Sequence, residues 1–205
     1  MKTFEIPLYD NVHQKMVDGF LIEGISLDQI AKANAQWTQM KQTHREFCRK
    51  RSLPFPEHSH WNWDNKAAKS ELLEVSQTRF AIVFEEEIQG LLLVEHVFRY
   101  AKLLPDKGQP ILYIEYLEVA PQNLEVYSDP RQFLGIGGQL LSAAIGYSIE
   151  VGHQGRVGLH ALPQAEHFYR KNGMIEFDKD PSHQYLRYYE FTAKQAKEYD
   201  SPKSK

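Results

Sequence analysis

The sequence predicts a mixed α/β domain with a largely antiparallel central sheet, helices on both of its faces and one parallel β-α-β crossover. Segments rich in β-branched and aromatic residues alternate with segments whose apolar residues recur at helical spacing. A strand, a helix and a strand follow one another between residues 111 and 161, which is the order of a right-handed parallel crossover. A hairpin precedes this unit and two strands follow it, and such mixed order is typical of helices packed on an antiparallel sheet.

The first part of the chain is predicted to be helical after one short strand over Phe4–Leu8. Ser26 or Asp28 can cap a helix, because such side chains accept hydrogen bonds from the first helical turn. Pro54 ends that helix, since proline has no N–H to donate and restricts the residue before it. A polar helix over residues 65–73 is expected to follow.

The second part of the chain is rich in β-branched and aromatic segments, which predict strands. The acidic residues 85–87 lie between the first two of these and are expected to form a solvated hairpin turn. Two helices are predicted, over residues 136–149 with Gly152 as the stop and over residues 163–173. The predicted strands cover residues 79–85, 88–98, 111–119, 156–161, 175–177 and 185–191.

The bulk properties limit the classes of function. The chain has 205 residues, of which 42% are hydrophobic, so one domain with a real core is expected. The net charge of -3 and the lack of a basic stretch argue against nucleic acid or a membrane surface as a partner. The single Cys48 excludes an internal disulfide framework and fits a cytoplasmic protein. Neither a secretory signal nor a membrane-spanning segment is predicted.

The most informative stretch links a predicted strand to the helix after it. Glycines at a helix start let the backbone approach a ligand, and the first helical N–H groups point outward and favour an anion. A pyrophosphate suits such a turn, because several N–H groups share its charge. Glycines are equally expected where a helix only packs closely on a sheet, and the motif alone does not separate the two interpretations. The residues concerned are Gln132, Phe133, Leu134, Gly135, Ile136, Gly137, Gly138 and Gln139.

The pattern Gln132-x-x-Gly135-x-Gly137 resembles the pyrophosphate-binding motif Gln/Arg-x-x-Gly-x-Gly/Ala of the GCN5-related N-acetyltransferase (GNAT) superfamily. The segment Tyr113–Pro121 before it is similar to the strand that precedes this motif in the superfamily, and Ala165–Met174 is similar to its Ala-x-x-x-Tyr-x-x-x-Gly-Phe helix. Each motif alone is common, but three of them in the same order on the same elements make a specific resemblance.

Two positions depart from the superfamily's pattern. Gln132 lies eleven residues after Pro121 instead of three, so an inserted loop over residues 122–131 is expected beside the site. Leu162 stands where many members carry an asparagine that contacts coenzyme A, so that contact is not expected in this chain.

The resemblance implies that acetyl-CoA is the co-substrate and that no metal takes part. It implies that Tyr169 donates a proton to the leaving thiolate, and a packed helix aromatic is the alternative. The backbone groups that would hold the pantetheine arm and polarise the thioester carbonyl are those of Leu117, Glu118 and Val119. The further cofactor contacts that it implies are Phe168, Arg170 and Lys171.

Two residues are candidates for the base that removes a proton from the acceptor amine. Glu115 lies in the apolar run 111–119, where burial would raise the pKa of its carboxyl, and a solvated glutamate on a half-exposed strand is the alternative. His160 ends the next strand and can relay a proton through water, or it can be a structural histidine.

A cluster of histidine and tryptophan residues lies over residues 58–64. His58 and His60 would share a face if this segment were a strand, but no cysteine and no clear third ligand lie nearby, so a metal site is not predicted. An aromatic wall over an acceptor pocket, or simple packing, fits these residues better.

The sequence therefore predicts one acyltransferase domain over residues 1–205, with a helical acceptor side (1–76), a coenzyme A-binding core (77–191) and a polar tail (192–205). The predicted reaction is direct attack by a primary amine, carried by a small molecule or a protein, on acetyl-CoA. A non-catalytic acyl-CoA-binding regulatory module and a transferase for other acyl chains stay open as alternatives. Homodimers are common in the superfamily, and a homodimer stays open for this chain.

Overall fold

The computed structural model describes residues 1–71 and 75–200, and this part of the chain forms a nine-stranded sheet and five α-helices. The strands are β1 (Lys2–Asp10), β2 (Lys15–Glu23), β3 (Gln77–Phe84), β4 (Glu87–Glu95), β5 (Leu112–Val119), β6 (Phe133–Leu134), β7 (Val157–Ala161), β8 (Ile175–Asp180) and β9 (Leu186–Phe191). The helices are α1 (Leu27–Arg51), α2 (Trp63–Glu71), α3 (Ile136–Glu150), α4 (Glu166–Lys171) and α5 (Ala193–Asp200). The strand order in the sheet is β6-β1-β2-β3-β4-β5-β7-β9-β8.

The strand pairing confirms the predicted fold class. β1 pairs antiparallel with β2 and β6, β2 pairs antiparallel with β3, and β9 pairs antiparallel with β7 and β8. β5 and β7 pair in parallel, with α3 between them in the chain, which is the predicted crossover. The chain divides into two compact units, residues 1–92 with 117–140 and residues 93–116 with 141 onward.

The first unit begins with a hairpin of two strands, where the sequence predicts one short strand followed by helix. β1 extends the predicted strand at both ends, but β2 has no counterpart in the prediction. Asp18 and Gly19 are poor strand formers, which hides β2 in the sequence. Gly19 is required because a Cβ there would overlap the side chain of Leu8 on β1. The predicted strand over Phe4–Leu8 is therefore confirmed, and the prediction of a helical segment is wrong for β2.

Helix α1 begins where the sequence predicts. Ser26 accepts a hydrogen bond from the Gln29 N–H at 3.3 Å, and the Gln29 side chain bonds back to Ser26 to complete a capping box. The helix ends at Arg51, because Ser52 adopts a left-handed conformation with a φ of 54° just before Pro54.

The segment between α1 and α2 differs from its prediction. Residues Glu57–His60 form a 3-10 helix, so His58 and His60 do not alternate on a strand. α2 begins at Trp63, two residues before the predicted start, and the predicted end of this helix at Leu73 lies outside the described residues.

β3 and β4 are neighbours in the sheet and are joined by the predicted acidic turn. Glu85 and Glu86 take left-handed φ values of 48° and 67° at its tip. The two strands are largely buried, with Ile82 and Leu92 at 0% exposure, so they form the core of the sheet.

The second unit holds the C-terminal elements. Gly152 has a φ of 83° just after α3, as predicted for a helix stop. Residues 193–200 of the predicted polar tail form α5, in which Ala196 is fully buried and packs where Gly155 has no side chain. No helix among the residues that the structure describes has both the length and the apolar character to cross a membrane.

Candidate functional site

The glycine-rich turn lies at the start of α3. Gly135 has a φ of 84°, which favours glycine, and no atom lies within 4 Å of the position that its Cβ would take. The N–H of Gln139 donates to the Gly135 carbonyl at 3.0 Å and closes the first turn of the helix. The N–H groups of Ile136 and Gly137 precede this bond, so they point outward at the positive end of the helix dipole. This arrangement can hold an anion.

The alternative explanation for a glycine, close packing of α3 on the sheet, applies to a different residue. A Cβ on Gly90 of β4 would lie 2.8 Å from Ile136 Cγ2 and 3.0 Å from Leu140 Cδ1. Gly90 is thus the residue that lets α3 approach the sheet. Gly135 faces open space, so a packing requirement does not explain it.

The main chain that leads into the turn is held by two other segments. The N–H of Asn11, in the β1–β2 turn, donates to the Gln132 carbonyl at 2.8 Å, and its side-chain amide donates to the Arg131 carbonyl at 3.0 Å. The N–H of Gln132 donates to the Gln122 carbonyl at 3.0 Å, and β6 pairs with the end of β1. The turn is therefore fixed by the N-terminal hairpin and by the inserted segment 122–131.

A buried amide network anchors the inserted segment. The Asn123 side chain donates to Gln89 Oε1 at 3.0 Å and accepts from the Phe133 N–H at 2.8 Å. Gln89 is 0% exposed and Asn123 is 4% exposed, so both polar side chains depend on these bonds. Sequence reasoning missed this pair, because a lone glutamine and a lone asparagine carry no spacing signal.

Glu118 belongs to the predicted pantetheine-binding residues, but its side chain lies in the core. Its carboxylate contacts Lys41 Nζ at 2.6 Å and accepts from Trp63 Nε1 at 2.6 Å, and both members of the ion pair are at most 3% exposed. Burial raises the pKa of the Glu118 carboxyl, while Lys41 opposes the rise. The Glu118 side chain is therefore not available to a ligand, and the main-chain contacts of Leu117, Glu118 and Val119 that the resemblance implies stay a prediction.

The parallel pairing of β5 with β7 joins Leu112–Ile114 to Val157–Leu159. Glu115 and His160 are the next residues along β5 and β7. The Glu115 carboxylate lies 3.1 Å from Arg99 Nη2, and Arg99 also binds Glu95 at 2.5 Å. Burial raises the pKa of Glu115 and Arg99 opposes the rise. Glu115 is thus half-buried and ion-paired, which matches neither the solvated alternative nor an unpaired base.

His160 is bonded at both ring nitrogens. Its Nδ1 lies 2.6 Å from the Tyr113 hydroxyl, and its Nε2 lies 3.2 Å from Asp180 Oδ2. Burial, and then the neighbouring His183, lower the pKa of His160 to about 4. The imidazole is therefore neutral at pH 7.

His183 lies beside His160 and completes a group that resembles a metal site. Among the described residues, His160, Asp180 and His183 offer ligand atoms within 4.8 Å of one another. The two imidazole rings, however, stack in parallel at 3.8 Å with an angle of 5°. A bound ion lies in the plane of each imidazole that holds it, and stacked rings share no such point. The arrangement suits hydrogen bonding rather than an ion.

Tyr169 lies on α4 and is 6% exposed. Its ring contacts those of Phe168 and Tyr189, and burial raises the pKa of its phenol. Arg170 pairs with Glu176 at 2.8 Å, so its charge is already balanced, whereas Lys171 is exposed.

Two residues of the cluster over residues 58–64, His58 and Trp63, are buried in the first unit. Trp63 is 1% exposed and holds Glu118, and the Asp64 carboxylate accepts from Asn34 at 2.8 Å. Burial lowers the pKa of His58 to about 4. The packing interpretation therefore fits His58 and Trp63.

Comparison with known proteins finds no match among protein-family models and none among curated proteins. Among solved structures, an uncharacterised protein from Bacillus halodurans is similar with a TM-score of 0.57 at 14% identity. That match covers 96% of this chain and 93% of the other. The two proteins therefore share a fold over nearly their whole length.

Two further solved structures are acetyltransferase-related. The Bacillus subtilis N-acetyltransferase YlbP in complex with coenzyme A has a TM-score of 0.45 at 15% identity, over 64% of this chain and 82% of the other. A protein from Bacillus anthracis strain Ames in complex with acetyl coenzyme A has a TM-score of 0.42 at 17% identity. This last match covers 57% of this chain and 62% of the other, less than two thirds of its length.

The chain has a GNAT-like fold. The GNAT-like features are the parallel pair β5–β7, the mostly antiparallel sheet and the glycine-rich turn that opens α3. Within this fold the structure joins His160 to Tyr113 and Asp180, and it joins Glu115 to Arg99. Sequence reasoning named His160 and Glu115 but missed their partners, which come from other elements.

Proposed function

We propose that the chain belongs to the GNAT superfamily and is an acetyl-CoA-dependent N-acetyltransferase that acts on a primary amine by direct attack. The observation that carries this proposal is the turn at Gly135, which is left-handed, open to solvent and fixed by its neighbours. An open turn at a helix start binds an anion through main-chain amides, and coenzyme A offers a pyrophosphate. The acceptor is a small molecule or a protein amine.

The proposed contacts to acetyl-CoA follow from the geometry of the turn. The N–H groups of Ile136 and Gly137 bind the pyrophosphate, and main-chain groups over residues 117–119 bind the pantetheine arm. Hydrogen bonds to the main chain of Gln132 fix the turn in its binding conformation before the ligand binds. This lowers the entropy cost of binding. Acetyl-CoA supplies the thioester carbonyl that the amine attacks.

Tyr169 is the proposed donor to the departing thiolate. Its raised pKa keeps the phenol protonated at neutral pH. A thiol has an ordinary pKa of about 8.5, so full transfer of the phenolic proton is uphill and the main effect is a hydrogen bond to the thiolate. That bond stabilises the charge that appears as the carbon–sulfur bond breaks.

A non-catalytic acyl-CoA-binding module on the same fold is the second candidate. The ion pair between Glu115 and Arg99 favours it, because a carboxylate that is already paired is a weaker base than an unpaired one. The nearly complete burial of Tyr169 also favours the non-catalytic module.

Calorimetric binding of acetyl-CoA, together with release of coenzyme A in the presence of a panel of small amines and peptide amines, tests both candidates. The enzyme is expected to bind acetyl-CoA and to release coenzyme A with at least one amine. Tyr169→Phe should lower kcat about 10- to 100-fold and leave the Kd of acetyl-CoA unchanged. Binding without turnover by any amine would favour the module, and absence of binding would end both candidates.

A further inference from the structure

Three polar side chains of the second unit form a continuous hydrogen-bonded chain, and a fourth, His183, lies beside its outer end. Tyr113 of β5 lies 2.6 Å from His160 of β7, and His160 lies 3.2 Å from Asp180 at the end of β8. Asp180 Oδ2 also lies 3.3 Å from His183 Nδ1, in the 3-10 helix that follows β8. The exposure of the side chains of His160, Asp180 and His183 rises in that order from 5% to 21% to 36%. Tyr113 itself is 7% exposed, so the chain runs from the interior to solvent.

The hydrogen bonds of Asp180 determine which nitrogen of His160 carries the proton. Asp180 Oδ1 accepts from the Ser182 N–H at 2.9 Å and from the Ser182 hydroxyl at 2.6 Å, and these bonds hold the pKa of the carboxyl well below its usual range. An ionised carboxylate only accepts, so the His160 Nε2–H donates to Asp180 Oδ2. His160 Nδ1 then has a lone pair and accepts from the Tyr113 hydroxyl.

This bonding leaves neither nitrogen of His160 available for direct contact with an amine. The phenolic oxygen of Tyr113 still has a lone pair after its proton is directed to His160. Tyr113 directly precedes Ile114, the last residue of β5 in the parallel ladder with β7. His160 Nδ1 can therefore receive a proton by way of the Tyr113 oxygen.

We propose that Tyr113 is the catalytic group that accepts the proton of the acceptor amine, and that His160 and Asp180 are positioning residues of a proton path that ends at His183. This proposal rests on the proposed N-acetyltransferase function. As the new carbon–nitrogen bond forms, the amine proton moves to the Tyr113 oxygen and the phenolic proton moves to His160 Nδ1. Asp180 stabilises the resulting imidazolium. The imidazolium then loses its Nε2 proton to solvent on the side of His183, and proton exchange with solvent returns His160 to the tautomer with its proton on Nε2 before the next turnover. No phenolate accumulates, and the thiolate of coenzyme A takes up one proton from solvent.

The charges around His160 are compatible with this path. The guanidinium of Arg99 lies 4.5 Å from the centre of the Tyr113 ring, and Glu115 and Glu95 balance its charge. Lys102 Nζ lies 3.7 Å from Asp180 Oδ2, and the Tyr188 ring lies 5.0 Å from that of His160. The low pKa of His160 keeps its Nδ1 unprotonated at neutral pH, and it also makes the imidazole a weak base, so the imidazolium is short-lived and depends on a nearby anion. Asp180 is the nearest anion that can stabilise the imidazolium.

A double-mutant cycle with the amine that reacts fastest in the panel tests the path. Tyr113→Phe and Asp180→Asn should each lower kcat about 100-fold, with the KM of acetyl-CoA unchanged. The kcat of the double variant should be at most about 3-fold lower than that of the slower single variant, because both changes interrupt one path. Asp180→Glu should recover part of the lost kcat. Tyr100→Phe is the matched control, since the Tyr100 side chain is exposed, and it should leave kcat unchanged.

Additive losses in the double variant would overturn the proton path, even if the enzyme turns over acetyl-CoA. The tautomer of His160 gives a second, independent measurement that needs no acceptor. Nitrogen-15 NMR of the whole chain at pH 7 should show a neutral His160 with its proton on Nε2. A proton on Nδ1 would overturn the path. Absence of turnover in the unchanged protein would instead show that the proposed function is wrong, and the proton path would then be wrong as well.

Discussion

At the scale of single residues, the two glycines at the ends of α3 allow a matched comparison. Gly135 and Gly152 have φ values of 84° and 83°, and neither has an atom within 4 Å of its Cβ position. We expect Gly135→Ala to weaken binding of acetyl-CoA about 10-fold or more. A left-handed conformation costs an alanine about 1–2 kcal/mol, so the turn relaxes and its amides lose their alignment. Isothermal titration calorimetry measures this change.

Gly152→Ala is the control for that experiment. It imposes the same strain at the far end of the helix, so it should lower the thermal midpoint to a similar extent and leave the Kd of acetyl-CoA unchanged. An equal loss of affinity in both variants would mean that general destabilisation explains the effect, and the turn would then have no specific role.

The ion pair between Lys41 and Glu118 is a second property at this scale. Lys41→Met leaves a buried carboxylate without its cation, so the free energy of unfolding should fall by about 3–5 kcal/mol. Urea unfolding gives the value. Lys50→Met, on the exposed face of the same helix, should change the free energy of unfolding by less than about 0.5 kcal/mol. A loss for Lys41→Met no larger than for this control would show that the pair does not stabilise the fold.

At the scale of elements, the β1–β2 hairpin supports the turn through Asn11. Asn11→Ala removes the side-chain bond to the Arg131 carbonyl and keeps the main-chain bond to Gln132. One such bond contributes about 0.5–1.5 kcal/mol, so the Kd of acetyl-CoA should rise about 3- to 10-fold. Val12→Ala is the control, because the Val12 side chain is exposed in the same turn. Equal Kd values for both variants would contradict a bracing role of the hairpin.

The elements also show what the sequence predicts and what it does not. α1, α3 and the β3–β4 hairpin carry local signals such as the capping residue Ser26, helical periodicity and an acidic turn, and the predictions for them were right in type. β2 and α5 depend on packing between distant residues, namely Gly19 against Leu8 and Ala196 beside Gly155, and no local pattern encodes that packing.

In the candidate site too, local motifs can be predicted from the sequence and contacts between distant residues cannot. The glycine-rich turn and His160 are visible as short motifs, whereas Trp63 reaches Glu118 across 55 positions of sequence and Asp180 reaches His160 across 20. Such partners are fixed by sheet topology, which the spacing of residues in one sequence does not specify.

At the scale of the whole molecule, two histidines make the fold sensitive to acid. Burial lowers the pKa of both His58 and His160 to about 4 from the ordinary value of 6.5. Both imidazoles therefore bind protons more readily in the unfolded chain, and unfolding takes up protons between pH 6.5 and about 4. The stabilisation that these groups contribute is complete above pH 6.5 and is lost as the pH falls through this window.

Urea unfolding at several pH values between 7 and 4.5 measures this dependence. The raised carboxyl pKa values of Glu115 and Glu118 act in the opposite direction, so substitution is needed to isolate the histidine contribution. His160→Gln should lose less free energy of unfolding than the unchanged protein as the pH is lowered, because one proton-binding difference is removed. His167→Gln is the matched control on an exposed helix position and should keep the slope of the unchanged protein. If His160→Gln and His167→Gln had the same slope, His160 would not be held neutral by the fold, and the neutral imidazole that the proton path requires would lose its support.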